Sequence, residues 1–551
     1  MAPRFNLTSP ALLAALAAAF ILPGLAGHDL WKSQDAIALG VVHDMAVRGD
    51  WIVPHIAGRP WLEDSPLYHW VALAFGAVFR FAMEFQTAAR LASGAFVAAA
   101  FALVYRAGRD WAGNPDEASA HYEKGRISGA AALLLVLGAV GLMVRAHEAL
   151  PELASLAAVG GALAALPHAT ARPGRAGAAF GAALGLAFLA GTWIAPLALL
   201  IAAAAAHAAC PSWRTRGAAP FLAATLVCGA PVALSWPLAL ALRSPDAFSE
   251  WLRYLRYVHG SVAENAHHLV TTASWSTWPA WPLALWSAWS LRRHWREPRL
   301  FVPGATLLAM MALQIARGQP QDESLLLLLP ALALLAAPGL FTLRRGAVAA
   351  LDWFGVLAFA FFTGLIWIGY LALTLGVPGP VARNLENLAP GYAAHVNPVA
   401  LVLALALAAA WVYLVFFTPF NPMRSVARWA GGIVLLWATF ALLLMPWVDY
   451  QRSYRSVARE LRSKIPPGIG CLAERSLGIS QAAALDYHGD IRPRPFDSLN
   501  PAACPLVLVQ GEAGYEFGAP PPVGKRGWEK LADVGRPGDR SERYRLYQLQ
   551  K

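Results

Sequence analysis

Two short stretches of this chain gather residue types that do chemistry. The first, Asp50 to Trp70, reads DWIVPHIAGRPWLEDSPLYHW and carries Asp50, Glu63 and Asp64 beside His55, Arg59 and Tyr68. The second, RAHEALPE, places Arg145, His147, Glu148 and Glu152 close together, and Lys32, Gln34 and Asp35 lie just upstream of the first. Carboxylates in such company can exchange protons or, a few at a time, share a divalent cation. Asp35 has a plainer use as well. Ile37, Leu39, Val41, Val42, Met45 and Val47 give a rough helical face, so a surface-lying helix begins there and Asp35 can cap its free amides. His267 and His268 form a pair without further ligand spacing, and the four cysteines are too few for a disulfide scaffold.

What positions these stretches is a membrane bundle. The 551 residues are 57% hydrophobic and only 14% charged, with mean hydropathy +0.46, which is too little polar surface for a soluble protein of this length. Apolar runs near 10–27, 86–106, 127–144, 150–167, 175–192, 193–208, 217–242, 277–292, 299–316, 324–341, 351–376, 398–416 and 428–447 predict thirteen spans. The first is read as a retained anchor. The net charge of +11 is spread over short turns, not a basic domain, which argues against nucleic acid as a partner.

With the N-terminus inside, the inner turns hold Arg106, Arg109, Lys124, Arg126, Arg172, Arg175, Arg214, Arg216, Arg292, Arg293, Arg296, Arg299, Arg344, Arg345, Arg424 and Arg428, as the positive-inside rule requires. A further apolar run, 68–83, is read as an interfacial or re-entrant helix so that this alternation holds. The outer face then collects a first loop of 28–85, the 145–152 turn, 243–275, 316–323, 377–397 and everything after 448. No charged residue falls deep within a run, which counts against a proton-coupled transporter. Residues 1–447 are expected to form the membrane domain and 448–551 a small outer α/β domain. In the latter, DYQRSYRSVARELRSKI reads as an amphipathic helix, ISQAAALDYHG as another, and GCLAE, CPLVLVQG and RYRLYQL as strands. A bridge between Cys471 and Cys504 suits an oxidising compartment, with free thiols the alternative.

The first loop resembles that of the family 39 lipid-linked glycosyltransferases, which include the aminoarabinose transferases of lipid A and the protein O-mannosyltransferases. The family's L-W-x-x-D-E, G-D-W-V-V-P and E-K-P-P-L-Y-Y-W segments match Leu30-Trp31, Gln34-Asp35, Gly49–Pro54 and Glu63–Trp70. The resemblance implies a mainly α, GT-C type bundle of about thirteen spans in a bacterial inner membrane, N-terminus cytoplasmic and C-terminal domain periplasmic. It also implies a polyprenyl-phosphate sugar donor, a lipid, glycan or protein acceptor, and an inverting transfer at the outer leaflet.

Carried over by residue, the resemblance makes Asp35, Glu63 and Glu152 the expected catalytic acids. Asp35 would be the base or would orient it, and Glu152 answers to an Asp in the family's P-D-x-x-L segment. The charges differ from the family pattern: its first acid is Gln34, and three of its cations are replaced by Ile37, Asp64 and Ala190. Lys32, His55, Arg59, Arg145, Arg253 and Arg256 are then candidates to hold phosphate, a divalent cation is an alternative counter-charge, and Gln34, Asp64, Tyr68 and His147 complete the expected substrate pocket. Trp31, Trp51 and Trp61 would stack on sugar or anchor at the interface. Two other readings stay open at this level, a non-catalytic scaffold on the same fold and a carrier of lipid or sugar-lipid.

Overall fold

The computed structural model describes every residue except 1–6, 32–33, 113–119, 215–216, 259, 319–321, 469, 513–519, 524–525, 540 and 551. Each of the thirteen apolar runs coincides with helix over most of its length. Among the described residues, eight of these elements are long and apolar enough to cross a membrane: Phe85–Ala112, Pro173–Ala190, Ala218–Arg243, Pro298–Arg317, Asp322–Thr342, Arg345–Leu375, Pro398–Phe417 and Pro422–Leu443. Other expected spans are shorter than their runs. Ala280–Ser290 has only eleven residues, closed off by Pro279 and by the basic turn Arg292–His294. The run 68–83 forms Leu67–Phe79, thirteen residues, short of the roughly 20 that a crossing needs.

The bundle is a multi-pass membrane protein. Its interior is built from alanine and leucine, with Ala130–Leu137, Leu150–Leu166 and Leu325–Leu340 almost wholly buried. The helices Arg345–Leu375 and Pro398–Phe417 instead expose Trp353, Leu357, Phe361, Phe362, Val399, Val402 and Phe416. A continuous apolar surface of this kind is stable only in lipid. Asp352, near the end of one span, is buried and ion-paired to Arg424 at 2.6 Å and Arg428 at 2.7 Å. That pairing is what allows a charge there.

Small residues set how closely two of the helices meet. Gly177, Gly181 and Gly185 recur every fourth position on Pro173–Ala190, facing Ala218–Arg243. A Cβ at Gly181 would lie 2.3 Å from the Thr225 carbonyl, and one at Gly177 would lie 2.2 Å from that of Phe221. The backbones touch, as in small-xxx-small packing between membrane helices. This contact fixes the end of Pro173–Ala190, where Ala190, Gly191 and Thr192 turn into the site.

The first loop folds as the helix Gln34–Arg48 followed by a two-stranded hairpin, β1 (His55–Ile56) and β2 (Arg59–Pro60). Its turn, Ala57-Gly58, holds both residues at positive φ (48° and 83°), the geometry that twists with the strands. The C-terminal domain carries the predicted helices, Arg455–Lys464 and Ile479–Gly489, on a five-stranded sheet of order β4-β3-β5-β7-β6. Its strands are β3 (Leu472–Arg475), β4 (Arg494–Pro495), β5 (Leu506–Gly511), β6 (Trp528–Val534) and β7 (Arg543–Leu549). The first three pair in parallel, and β7 runs antiparallel to β5 and β6.

Cys471 and Cys504 are bridged across 33 residues of sequence, while Cys210 and Cys228 are free. Replacing the bridged pair by serine is expected to destabilise this domain by ~3–4 kcal/mol, the loop-closure entropy of a ring that size. A thermal melt with and without reductant measures it, and an unchanged melt would remove the bridge from the stability argument.

Candidate functional site

The first loop and the helix ends beside it meet through one buried guanidinium. Arg90 is fully buried. It donates to Asp35 through Nε at 2.9 Å and Nη2 at 2.8 Å, and to the carbonyls of His28 at 2.8 Å and Asp29 at 2.9 Å. The Asp35 carboxylate accepts a further bond from the Ala149 amide at 2.8 Å. Beside this pair, Tyr68 donates to the Ser93 hydroxyl at 2.7 Å, which in turn donates to the Glu148 carbonyl at 2.7 Å. The first loop, the helix Phe85–Ala112 and the 145–150 turn are therefore held in one register. Immediately after that turn, Pro151 starts the helix Pro151–Ala165 and places Glu152 in its first turn, where free amides face a carboxylate.

A second tie comes from the C-terminal domain. Asp29 accepts from Gln86 Nε2 at 2.9 Å, Ser453 Oγ at 2.6 Å and Arg455 Nε at 2.9 Å. Burial would raise the Asp29 carboxyl, but the bonds from Arg455, Ser453 and Gln86 outweigh it and hold the group well below the usual carboxylate range. Arg59, in β2, pairs with Glu474 of β3 at 2.7 Å.

These ties shape a small cavity of about 50 Å³, lined by Gln34, Trp61, Glu63, Asp64, Glu152, Ser155, Gly191, Thr192, Tyr254, Gln314 and Ser324 among others. Its carboxylates come from two walls: Glu63 and Asp64 from the loop, and Glu152 from a helix start. Ser65 donates to the Gly191 carbonyl at 2.7 Å, a bond the family's proline could not make, and so seats the loop on the end of Pro173–Ala190. Trp61 donates to Asp64 Oδ2 at 2.9 Å. Burial pushes the Asp64 carboxyl up despite that bond, and burial followed by the Asp64 charge pushes Glu63 up. Both hold a proton more tightly than free carboxylates do. Among the described residues no three His, Cys, Asp or Glu are grouped so as to hold a metal ion.

Of the residues expected from sequence, Gln34, Glu63, Asp64 and Glu152 line this cavity. Asp35 does not. It is sealed against Arg90 with 1% of its surface exposed, so it positions the 145–152 turn and has no path to a substrate proton. Tyr68 belongs to the same buried network, and His147 is buried between the carbonyls of Met143 and Phe20, stacked on Trp437. His55 bonds the Val53 carbonyl at 2.8 Å, Arg59 is paired as above, and Arg145 is neutralised by Glu148 and Glu323, each at 2.8 Å. Arg253 and Arg256 are exposed on Pro245–Arg256, while Tyr254 between them lines the cavity. Lys32 lies outside the described residues. Sequence reading missed Ser155, Thr192, Tyr254, Gln314 and Ser324, polar residues spread over four helices and one turn. The one signal in the chain was the pair Gln314 and Arg317, three apart at the end of an apolar helix.

No family model matches the chain. Over 456 residues it is 28% identical to the Undecaprenyl phosphate-alpha-4-amino-4-deoxy-L-arabinose arabinosyl transferase of Pseudomonas aeruginosa strain LESB58, covering 79% of this chain and 75% of that one. The protein of the same name from strain PAO1 is 27% identical over 454 residues, covering 79% and 75%. In fold the chain is similar to ArnT from Cupriavidus metallidurans. The crystal structure bound to undecaprenyl phosphate gives a TM-score of 0.67 at 18% identity, with 97% of each chain covered. The apo structure gives 0.65 with the same identity and coverage.

Proposed function

We infer that this chain is a lipid-linked glycosyltransferase of the GT-C type that moves a sugar from a polyprenyl phosphate to an acceptor at the outer face of a bacterial inner membrane. The observation that carries the reading is the cavity, where acids from the loop and from a helix start converge at the ends of a bundle shaped like ArnT. The clustering of arginines in the opposite turns supports an inner N-terminus and an outer C-terminal domain.

Glu152 is the base. Its carboxylate takes the proton of the acceptor hydroxyl or phosphate as that oxygen bonds the anomeric carbon. The bond from that carbon to the lipid phosphate breaks, its electron pair leaves with the phosphate, and configuration inverts. Glu63 and Asp64, on the other wall, orient the sugar. Three carboxylates suit a sugar bearing a cationic amino group, the donor class named for the Pseudomonas relatives. Among acceptors, an outer-leaflet lipid fits best, because residues of membrane-spanning helices, among them Gln314 and Ser324, line the cavity.

The test is transfer by the purified full chain in detergent, given radiolabelled undecaprenyl-phosphate 4-amino-4-deoxyarabinose and a bacterial membrane extract. Label should move to a lipid fraction. Absence of transfer while the donor still binds would sink the catalytic reading and favour a scaffold.

A further inference from the structure

We propose that Arg317, stacked on Tyr254, holds the phosphate of the lipid donor, taking the place of the cations missing from the first loop. The proposal rests on the donor reading above. Arg317 ends the helix Pro298–Arg317 and is only 2% exposed. Its guanidinium lies 5.2 Å from the centre of the Tyr254 ring, and Tyr254 lines the cavity that also receives Glu63, Asp64 and Glu152. Gln314, one turn earlier on the same face, is a cavity residue too.

What marks Arg317 out is its lack of a counter-charge. Among the described residues no carboxylate lies within ion-pair distance of it, and its guanidinium nitrogens lack a well-aligned acceptor; its polar neighbour is the uncharged Tyr254 side chain. A helix C-terminus can stabilise an arginine through its last carbonyls, but these nitrogens do not reach them. By contrast, buried Arg90 is paired with Asp35, and half-buried Arg145 with Glu148 and Glu323. A sealed, uncompensated guanidinium is costly, and a phosphate would supply the missing charge through charge-assisted bonds. It would also put the cation for the leaving group on Pro298–Arg317 and the proton-accepting Glu152 on Pro151–Ala165, so that different helices serve the leaving and the entering oxygen.

The experiment uses the full chain in detergent and two probes, farnesyl phosphate and inorganic phosphate, read by tryptophan quenching and by thermal shift. Farnesyl phosphate should bind and stabilise the unaltered chain. Arg317→Met should weaken that binding by roughly ten- to a hundred-fold, the worth of a charge-assisted hydrogen bond, and should raise the melting temperature of the unliganded protein because an unpaired buried charge is gone. Arg317→Lys should recover part of the affinity, and it carries the test if the Met variant does not fold.

Equal binding by the unaltered and Met proteins would overturn the proposal and leave the donor reading intact. Binding by neither would overturn both. A lowered melting temperature with unchanged affinity would assign Arg317 a structural role and overturn the proposal. Dependence on Arg317 for inorganic phosphate alone would overturn its assignment to the lipid donor.

Discussion

Asp35→Asn is expected to destabilise the protein by about 3–5 kcal/mol, the cost of removing one partner from a fully buried ion pair. The amide leaves Arg90 charged and sealed, with only the His28 and Asp29 carbonyls to bond. It also weakens the bond from Ala149 that sets the turn before Glu152. Removing both charges, as Asp35→Leu with Arg90→Met, should cost less than the single change. Melting curves in detergent decide the matter, and a single-variant shift of less than a degree or so would refute the anchoring role. The same pair predicts acid sensitivity. Burial alone would raise Asp35, but Arg90 beside it outweighs burial and holds its carboxyl below the ordinary range, as Arg455 and its companions do for Asp29. Their stabilisation is therefore complete above the unfolded carboxylate value of about 4 and is lost as pH falls through the lower folded values. Unfolding should set in below about pH 4, and Asp35→Asn should flatten that dependence.

Glu152→Gln should lower turnover by roughly 10²- to 10⁴-fold, the usual worth of a positioned general base, while leaving the melting temperature and donor binding nearly unchanged. Glu152 is on the cavity wall and outside the Asp35–Arg90 network, so its loss removes chemistry without loosening the loop. In the parent protein burial raises Asp64 and Glu63, so the rate should also fall on the acid side above the ordinary carboxylate range, as these two lose the charge that orients a cationic sugar. Full turnover by the Glu152→Gln protein would move the base to the loop, and Asp64→Asn would then be the variant to measure.

The helical bundle and the C-terminal α/β fold were legible because apolar runs and strand-like or amphipathic stretches are one-dimensional signals. The strand-like GCLAE, CPLVLVQG and RYRLYQL became β3, β5 and β7. The loop motif led to Glu63, and the P-D-x-x-L segment to Glu152, by resemblance. The role of Asp35 was illegible, because its partner Arg90 is 55 residues away and nothing local distinguishes a carboxylate that faces substrate from one that faces a buried guanidinium. Arg59 misled for the same reason, since its counter-ion Glu474 is 415 residues distant. Arg317 escaped notice because helix ends near a membrane surface are commonly basic. Its meaning lies in what it fails to touch.

The stitching of the first loop to the C-terminal domain also sets an order of events during synthesis. Asp29 waits for Ser453 and Arg455, which follow it by 424 and 426 residues, and Arg59 waits for Glu474. At a ribosomal rate of about 5–20 residues per second, the loop spends roughly 20–80 seconds with its partners unmade while the membrane helices are being laid down. A chain cut short between residues 443 and 453 would carry a nearly whole bundle and an unfastened loop. Such fragments would be built into the membrane yet idle, and a protease patrolling for loose outer loops could tell them from finished molecules.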